Sequence, residues 1–397
     1  MKKLTKILFL NQMAGPLFRE LAEDLSKRMP KTSKLFTGHP DTLVIGSSTK
    51  KLIISSAPVY NRGSKLLRIF SWIKYSLFAF RKMLNTDKNT IIFFVSNPPL
   101  LGFFVFLISL VKRIPYVVLV YDLHVDIFIG CGILSKNSFV VRLWRLINRI
   151  VWNRSIAVYT IGTIMAKNLN RQFKVKNTKL AQVGVVYPWV NTKKIKPISK
   201  IENPLSNDLG QEKKITVLYS GNMGISHDID SILQASKILK NEKDISFLLI
   251  GHGEKWSDAV DFQKKNSLDN LRVLPFQSEE KLPYTMALAD IALVSLEEGV
   301  EGYMFPSKMF YYMSAGAAII GICNEKNDVA EIIKNSNCGI TVKPKNPKDL
   351  AYSIKKLSID IKKLHIFKKN SRQSAILNFS RKNCTDKLNQ EILSLIN

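Results

Sequence analysis

Residues 215–239 read ITVLYSGNMGISHDIDSILQASKIL. Ile215–Ser220 is a β-branched and aromatic run of strand length, GNMGISH is a glycine-bearing turn, and from Ile229 to Leu239 the apolar residues recur at helical spacing. This is one strand–turn–helix unit, and the same grammar repeats along the chain. Before it, strands are expected at Ile7–Leu10, Thr42–Ile45, Thr90–Val95, Tyr116–Val120 and Ile156–Thr160. Helices are expected near Leu17–Arg28, Lys65–Leu84, Pro99–Lys112, Phe139–Asn153 and Ile164–Arg171. After it, strands at Ile245–Ile250, Leu271–Pro275, Ile291–Leu296 and Ala318–Ile322 alternate with helices near Trp256–Lys265, Lys308–Ala315, Val329–Lys334 and Pro347–Lys356. Alternating βα units predict an α/β fold with parallel sheets covered on both faces.

Between the halves lies KKIKPISKIENPLSNDLGQEKK (193–214), polar and carrying two prolines. It reads as a linker over 196–212 between two doubly wound domains, 1–195 and 213–377, a division that suits 397 residues. At 46% hydrophobic and 23% charged residues, the composition is globular and excludes a disordered chain. The four cysteines, Cys131, Cys323, Cys338 and Cys384, have no metal-ligand spacing, so neither a disulfide framework nor a structural zinc site is expected.

Charge separates the halves. The net formal charge is +28, and residues 1–200 hold 33 Lys/Arg against 7 Asp/Glu. Such a surface implies an anionic partner: a membrane, a phosphorylated acceptor or nucleic acid. The N-terminal MKKLTKILFL begins like a signal peptide, but its apolar run stops at Leu10 and reads better as a first strand. The longest apolar run, Pro98–Val111, has 14 residues. A spanning helix needs about 20, so no membrane span is expected.

In open α/β sheets ligands bind beyond the carboxyl ends of the strands. There the chain carries Gly221, Asn222, Gly224 and His227, then Gly251 and Gly253, then PSKMFYYMSAG (306–316). Pro306 suits a first helical turn, Ser307 can cap N–H groups, and Lys308 adds a cation where the helix dipole is already positive. That placement is unfavourable unless an anion such as a nucleotide diphosphate compensates. In the basic half, YDLHVD (121–126) follows a strand, so Asp122 and His124 lie at a sheet's carboxyl edge, where a carboxylate can position a substrate or receive its proton.

The ordered set SGNMG–H, GHG and PSKMFYYMSAG resembles bacterial GT-B glycosyltransferases of family 4, especially the colanic-acid and amino-sugar transferases with a PSK signature. In the first half, Gly15 within MAGPLFRELAEDL, the segment 95–126 ending in YDLHVD, and VVYPWVN (185–191) are similar to the corresponding family stretches. The resemblance implies two Rossmann-like domains with parallel sheets facing across a cleft, and a final helix over 378–397 returning to the first domain. It implies retaining transfer from a nucleotide sugar, a UDP-sugar first, to a polyprenyl-diphosphate-linked or similar glycan acceptor in surface polysaccharide synthesis. No metal or other cofactor is implied; Asp228-Ile229-Asp230 opens a helix, where aspartates act as caps.

The diphosphate would meet the N–H groups of Gly221–Gly224, His227 and Lys308. Two features depart from the family pattern. Tyr311, with Tyr303 eight residues before it, stands where many members carry a Glu-x7-Glu pair, so a phenol would hydrogen-bond the ribose; and the family's Arg and Lys after the first strand of the second domain are absent.

For the helix at Leu66–Leu84, one apolar face (Leu66, Ile69, Phe70, Ile73, Leu77, Phe80, Leu84) is expected to be buried. Arg68, Tyr75 and Lys82, flanked by Trp72 and Phe78, would then lie outward. Arg142, Arg145 and Arg149 form a second basic stripe. Both suggest an anionic membrane surface as partner, with the enzyme peripheral on the cytoplasmic face. A nucleic-acid-binding protein would need a reading element, and none is seen. A GT-B-type sugar-nucleotide epimerase would keep the fold but have no use for the basic aromatic half.

Overall fold

The computed structural model describes residues 4–61, 63–173 and 183–396. In chain order the first part comprises β1 (Lys6–Leu10), α1 (Pro16–Lys27), β2 (Ser33–Thr37), α2 (Pro40–Ile45), β3 (Leu52–Ser56), α3 (Lys65–Leu84), β4 (Thr90–Val95), α4 (Leu101–Lys112), β5 (Tyr116–Val120), α5 (His124–Gly130), α6 (Phe139–Arg154), β6 (Ala157–Thr160), α7 (Thr163–Phe173) and β7 (Gly184–Val185). The second part comprises α8 (Pro204–Leu209), β8 (Ile215–Asn222), α9 (Asp230–Ile238), β9 (Ile245–His252), α10 (Trp256–Lys265), β10 (Leu271–Leu274), α11 (Leu282–Ala287), β11 (Ile291–Ser295), α12 (Lys308–Ala315), β12 (Ala318–Ile322), α13 (Asp328–Ser336), β13 (Gly339–Val342), α14 (Pro347–Ile359), α15 (Ile361–Asn378) and α16 (Arg381–Ile396).

Two compact units result. The first contains 1–129, 134–187 and 384–397; the second contains 130–133 and 188–383. The chain therefore passes between units at Tyr187–Pro188, and 196–212 lies within the second unit and includes α8. From Cys384 onward α16 belongs to the first unit, where Leu388 and Ile392 are buried and Arg28 meets Asp386 at 3.1 Å.

Each unit is a parallel α/β sheet. Among the described residues the first has strand order β3-β2-β1-β4-β5-β6-β7 and the second β10-β9-β8-β11-β12-β13. In both, the order reverses beside the first strand, between β1 and β4 and between β8 and β11. Loops leaving such a pair diverge to opposite sides and open a crevice at the carboxyl edge. The central strands are buried on both faces, β4 over its whole TIIFFV run, which is why they read as unbroken apolar segments.

Three expectations are corrected here. Thr42–Ile45 is not a strand but the end of α2; the sheet instead continues from β1 through β2 to β3 at its edge. The β-branched run looks like a strand, but Pro40 at the first turn and His39, whose Nδ1 accepts the Thr42 N–H at 3.3 Å, start a helix.

The facing of α3 is also the reverse of the expectation. Tyr75, Ser71, Ser76, Ala79 and Met83 are buried, whereas Leu66, Ile69, Phe70, Ile73 and Leu77 are exposed. Small side chains let α3 approach the rest of the unit, and Tyr75 satisfies its hydroxyl by donating to Phe36 O at 2.9 Å while stacking on the Phe36 ring. Polarity ranking misjudges such a face because Tyr75 and Ser71, whose hydroxyl donates to Arg68 O at 2.7 Å, find internal partners. Arg145 likewise leaves the outer stripe of α6. It turns inward to pair with buried Asp126 at 2.5 Å.

Candidate active site

In the second unit, β8 runs on to Asn222, and β9 pairs with it through Asn222↔His252. Gly251 permits this close join: a Cβ there would lie 1.9 Å from Gly221 O. Gly221 has φ +144°, and a Cβ on it would sit 3.0 Å from Lys308 Nζ. That position therefore needs glycine both for its backbone and for the lysine beside it. Gly224 and Gly253 line the same turn, and Asn222 is exposed at the strand end.

Lys308 is the first residue of α12, and its Nζ is buried without a hydrogen-bond partner. It lies 3.7 Å from the centroid of the Tyr219 ring, a cation–π contact. Burial pulls its pKa down to about 7. Two tyrosines hold the turn that it faces. Tyr219 donates to Asn222 O at 2.6 Å, while the Tyr312 hydroxyl accepts the Ser220 N–H at 2.6 Å and donates to Ser220 O at 2.9 Å.

Ser307 does not cap the helix. Its backbone is already helical (φ −57°, ψ −20°) and its side chain makes no capping bond. Pro306 and Ser307 instead supply carbonyls that accept the Met309 and Phe310 N–H groups. Tyr311 is half-buried on the same helix, three residues after Lys308.

His227 is buried, with Nδ1 2.7 Å from Ser295 O. A carbonyl only accepts, so Nδ1 carries the proton. Burial, with the Lys308 charge next in importance, drives the pKa of His227 down to about 3. His227 is thereby held toward the neutral imidazole, with Nε2 as an acceptor.

Sequence reasoning missed two residues. Tyr312 was hidden in an aromatic run. Lys255, two residues after Gly253, donates to His227 O (3.0 Å), Glu297 (3.1 Å) and Asp230 (3.4 Å), tying the 224–230 turn to the start of α10. Asp228 accepts from Ser231 N at 3.0 Å and Lys345 N at 2.7 Å, the capping role its place before a helix implied. Among the described residues, no group of three or more His, Cys, Asp or Glu side chains could hold a metal ion.

In the first unit, Asp122 and His124 follow β5. With Ser96, Phe103, Trp144 and Asn148 they line a hollow of about 30 Å³ between the carboxyl edge of the sheet and helices α4 and α6. His124 Nε2 is buried without a hydrogen-bond partner, and its ring stacks on Phe128. Burial raises the Asp122 pKa against the pull of His124; burial lowers that of His124 against the pull of Asp122. The result is a carboxylate of raised basicity beside an imidazole held toward its neutral form. Gly15 lies at the N-terminus of α1 with φ −68°, and its nearest neighbour to a Cβ would be His39 Nε2 at 3.8 Å, so the backbone there does not require glycine.

Gly221, Asn222, Gly224, His227, Gly251, Gly253 and Lys308 thus meet at the carboxyl edge of the second sheet, while Asp122 and His124 meet at that of the first. Residues 203–374 match the family described as "Glycosyl transferases group 1". The chain is 26% identical over 279 residues to "Probable glycosyltransferase WbjE" of Pseudomonas aeruginosa, covering 69% of this chain and 68% of that protein. It is 27% identical over 145 residues, 36% of each chain, to the UDP-N-acetylglucosamine--N-acetylmuramyl-(pentapeptide) pyrophosphoryl-undecaprenol N-acetylglucosamine transferase of Caldicellulosiruptor saccharolyticus. Among solved structures, Anabaena Alr3699/HepE in complex with UDP is similar in fold, with TM-score 0.72 and 16% identity over 98% of this chain and 100% of that one.

Proposed function

We propose that the chain is a GT-B glycosyltransferase related to the group 1 glycosyl transferases, and that it moves a sugar with retention from a nucleotide-sugar donor, a UDP-sugar first, to a lipid-diphosphate-linked glycan. The process it serves is the assembly of a bacterial surface polysaccharide, with the enzyme on the cytoplasmic face of the membrane. The C. saccharolyticus relative, named for a pyrophosphoryl-undecaprenol acceptor, supports the acceptor class.

The observation that carries the donor reading is Lys308. A buried ammonium with no anion beside it, at a helix start and facing a glycine turn, is a half-built ion pair. A diphosphate completes it. In this reading the N–H groups of Gly221–Gly224 and the Lys308 ammonium take the diphosphate, His227 Nε2 accepts from a sugar hydroxyl, and Tyr311 meets the ribose. The sugar C1–O bond breaks with its electron pair on the leaving phosphate oxygen, which Lys308 stabilises. The acceptor hydroxyl oxygen bonds to C1 on the same face, and Asp122 orients that hydroxyl or receives its proton, with His124 tuning it. Because Lys308 supplies the charge compensation, the reaction needs no divalent cation.

The test is thermal stability in the presence of UDP-, GDP-, ADP- and CMP-sugars. A ligand bound only by the native state raises it. One nucleotide should stand out in the wild type and lose its effect in Lys308→Ala, with transfer unchanged by a chelator. No response to any of the four would remove the donor assignment.

A further inference from the structure

Resting on the reading that the acceptor is lipid-linked, we infer that the outer surface of α3, α4 and α6 is an interfacial docking face for an anionic bilayer. The apolar stripe of α3 carries it, and the face lies beside the hollow at Asp122 and His124.

The apolar side chains on this surface are not scattered. On α3, Leu66 is 79% and Phe70 66% exposed, and Ile73 and Leu77 continue the stripe. On α6, Phe139 is 76% exposed and Leu143, Leu146 and Ile150 share its arc at helical spacing. Helix α4 packs between them, against α3 on one side and α6 on the other, and adds exposed Phe103, Leu110 and Val111. Three adjacent helices thus turn apolar residues away from the core, a contiguous surface that soluble monomers avoid.

The charge on the same helices selects the partner. Helices α3, α4 and α6 together contain ten Lys or Arg and no Asp or Glu. Exposed Lys74 and Arg81 border the α3 stripe, and exposed Arg142 and Arg149 border that of α6. An apolar centre flanked by cations is the pattern of a helix lying in a headgroup layer, its apolar side in the acyl boundary. A second copy meeting this face with its own would oppose cation to cation with no carboxylate to compensate. Among the described residues no helix is long and apolar enough to cross a membrane, so the contact is interfacial.

The face also has a reason to be where it is. The hollow at Asp122 and His124 is walled by α4 (Gly102, Phe103) and α6 (Trp144, Asn148). Phe103 belongs to both the wall and the exposed surface. Laying α4 and α6 on the bilayer therefore sets the hollow at the level of lipid headgroups, where the diphosphate of a lipid-linked glycan lies.

The experiment is sedimentation of the full chain with phosphatidylglycerol-containing vesicles and with pure phosphatidylcholine vesicles, at low and high salt. The wild type should bind the anionic vesicles and leave a salt-resistant fraction. Leu66→Ser/Phe70→Ser/Leu77→Ser should lower partitioning more than roughly tenfold at every salt concentration, because it removes buried apolar area. Lys74→Glu/Arg81→Glu should act mainly at low salt. Ile201→Ser/Ile359→Ser, equally exposed in the second unit, should change nothing. Phe139→Ser/Leu146→Ser reads the same face from an independent helix, should one variant misfold. Undiminished binding by both apolar variants overturns the inference. So does a wild-type dimer that these variants dissociate, or binding to nucleic acid in place of vesicles. Nucleotide-induced thermal stabilisation of the same proteins keeps the readings apart: a chain that docks but ignores nucleotides fails the proposed function and not the docking face.

Discussion

Lys308 Nζ lies 3.7 Å from the centre of the Tyr219 ring with no hydrogen-bond partner, so the cation at the carboxyl edge of the second sheet rests on an aromatic face and lacks an anion. Replacing it should separate stability from binding. Lys308→Ala should weaken binding of the cognate nucleotide sugar by roughly 1.5–3 kcal/mol, the worth of a charge-assisted hydrogen bond. Thermal stability without ligand should hold or rise. Calorimetry and a melting curve check both, and unchanged affinity would take Lys308 out of the site.

The same lysine makes donor binding pH-dependent. Its pKa in the folded chain is lowered to about 7, below that of an unfolded lysine. Between the two values the unfolded state binds more protons, so Lys308's burial penalty shrinks and stability rises as pH climbs above 7 toward the unfolded value. Diphosphate binding runs the other way, because it needs the protonated form, and affinity should fall over that window. Near pH 7 binding should take up about half a proton. Neighbouring His227, at about 3, stays neutral throughout, so the uptake belongs to Lys308. Calorimetry in buffers of different ionisation enthalpy measures it, and Lys308→Arg should abolish it.

Tyr311 and Tyr312 are adjacent but should respond oppositely to loss of the hydroxyl. Tyr312→Phe strands the N–H and carbonyl of Ser220 and should cost about 1–3 kcal/mol of stability. Tyr311→Phe should instead show its main effect in weaker donor binding, the phenol meeting the ribose in the proposed reading. Equal effects in the two variants would contradict this division.

Asp122→Asn should lower kcat by roughly 10²–10⁴, the range of a lost general base, with donor affinity intact. The raised pKa of Asp122 places the acid limb of the wild-type rate profile above that of an ordinary carboxylate. The variant should lose that limb. A profile that keeps it points to another base.

What could be read without coordinates was periodic or local. The alternation of β-branched runs with helical spacing showed two parallel α/β units, and α10, α12, β4, β5 and β12 start and stop where the residues put them. The turns after β8 and β9 and the Lys308 position were legible because a strand's carboxyl end is a functional address in this architecture. The edge strands β3, β7 and β13 are short and partly exposed, and β2 is interrupted by exposed Lys34, so none has the unbroken buried run that marks a central strand.

The rest depended on which partner each group meets in space. That Nδ1 carries the ring proton of His227 follows from Ser295 O, 68 residues away. Tyr312 holds Ser220 across 92 residues. Arg145 leaves the surface for Asp126, and α3 hides Ser71, Tyr75 and Ser76 while exposing leucine and phenylalanine. Hydrophobicity along a chain says how much a face would gain from burial, not whether a neighbour is there to bury it. For α3 the tertiary structure supplied Phe36 to the polar side and left the apolar side to the surroundings of the protein.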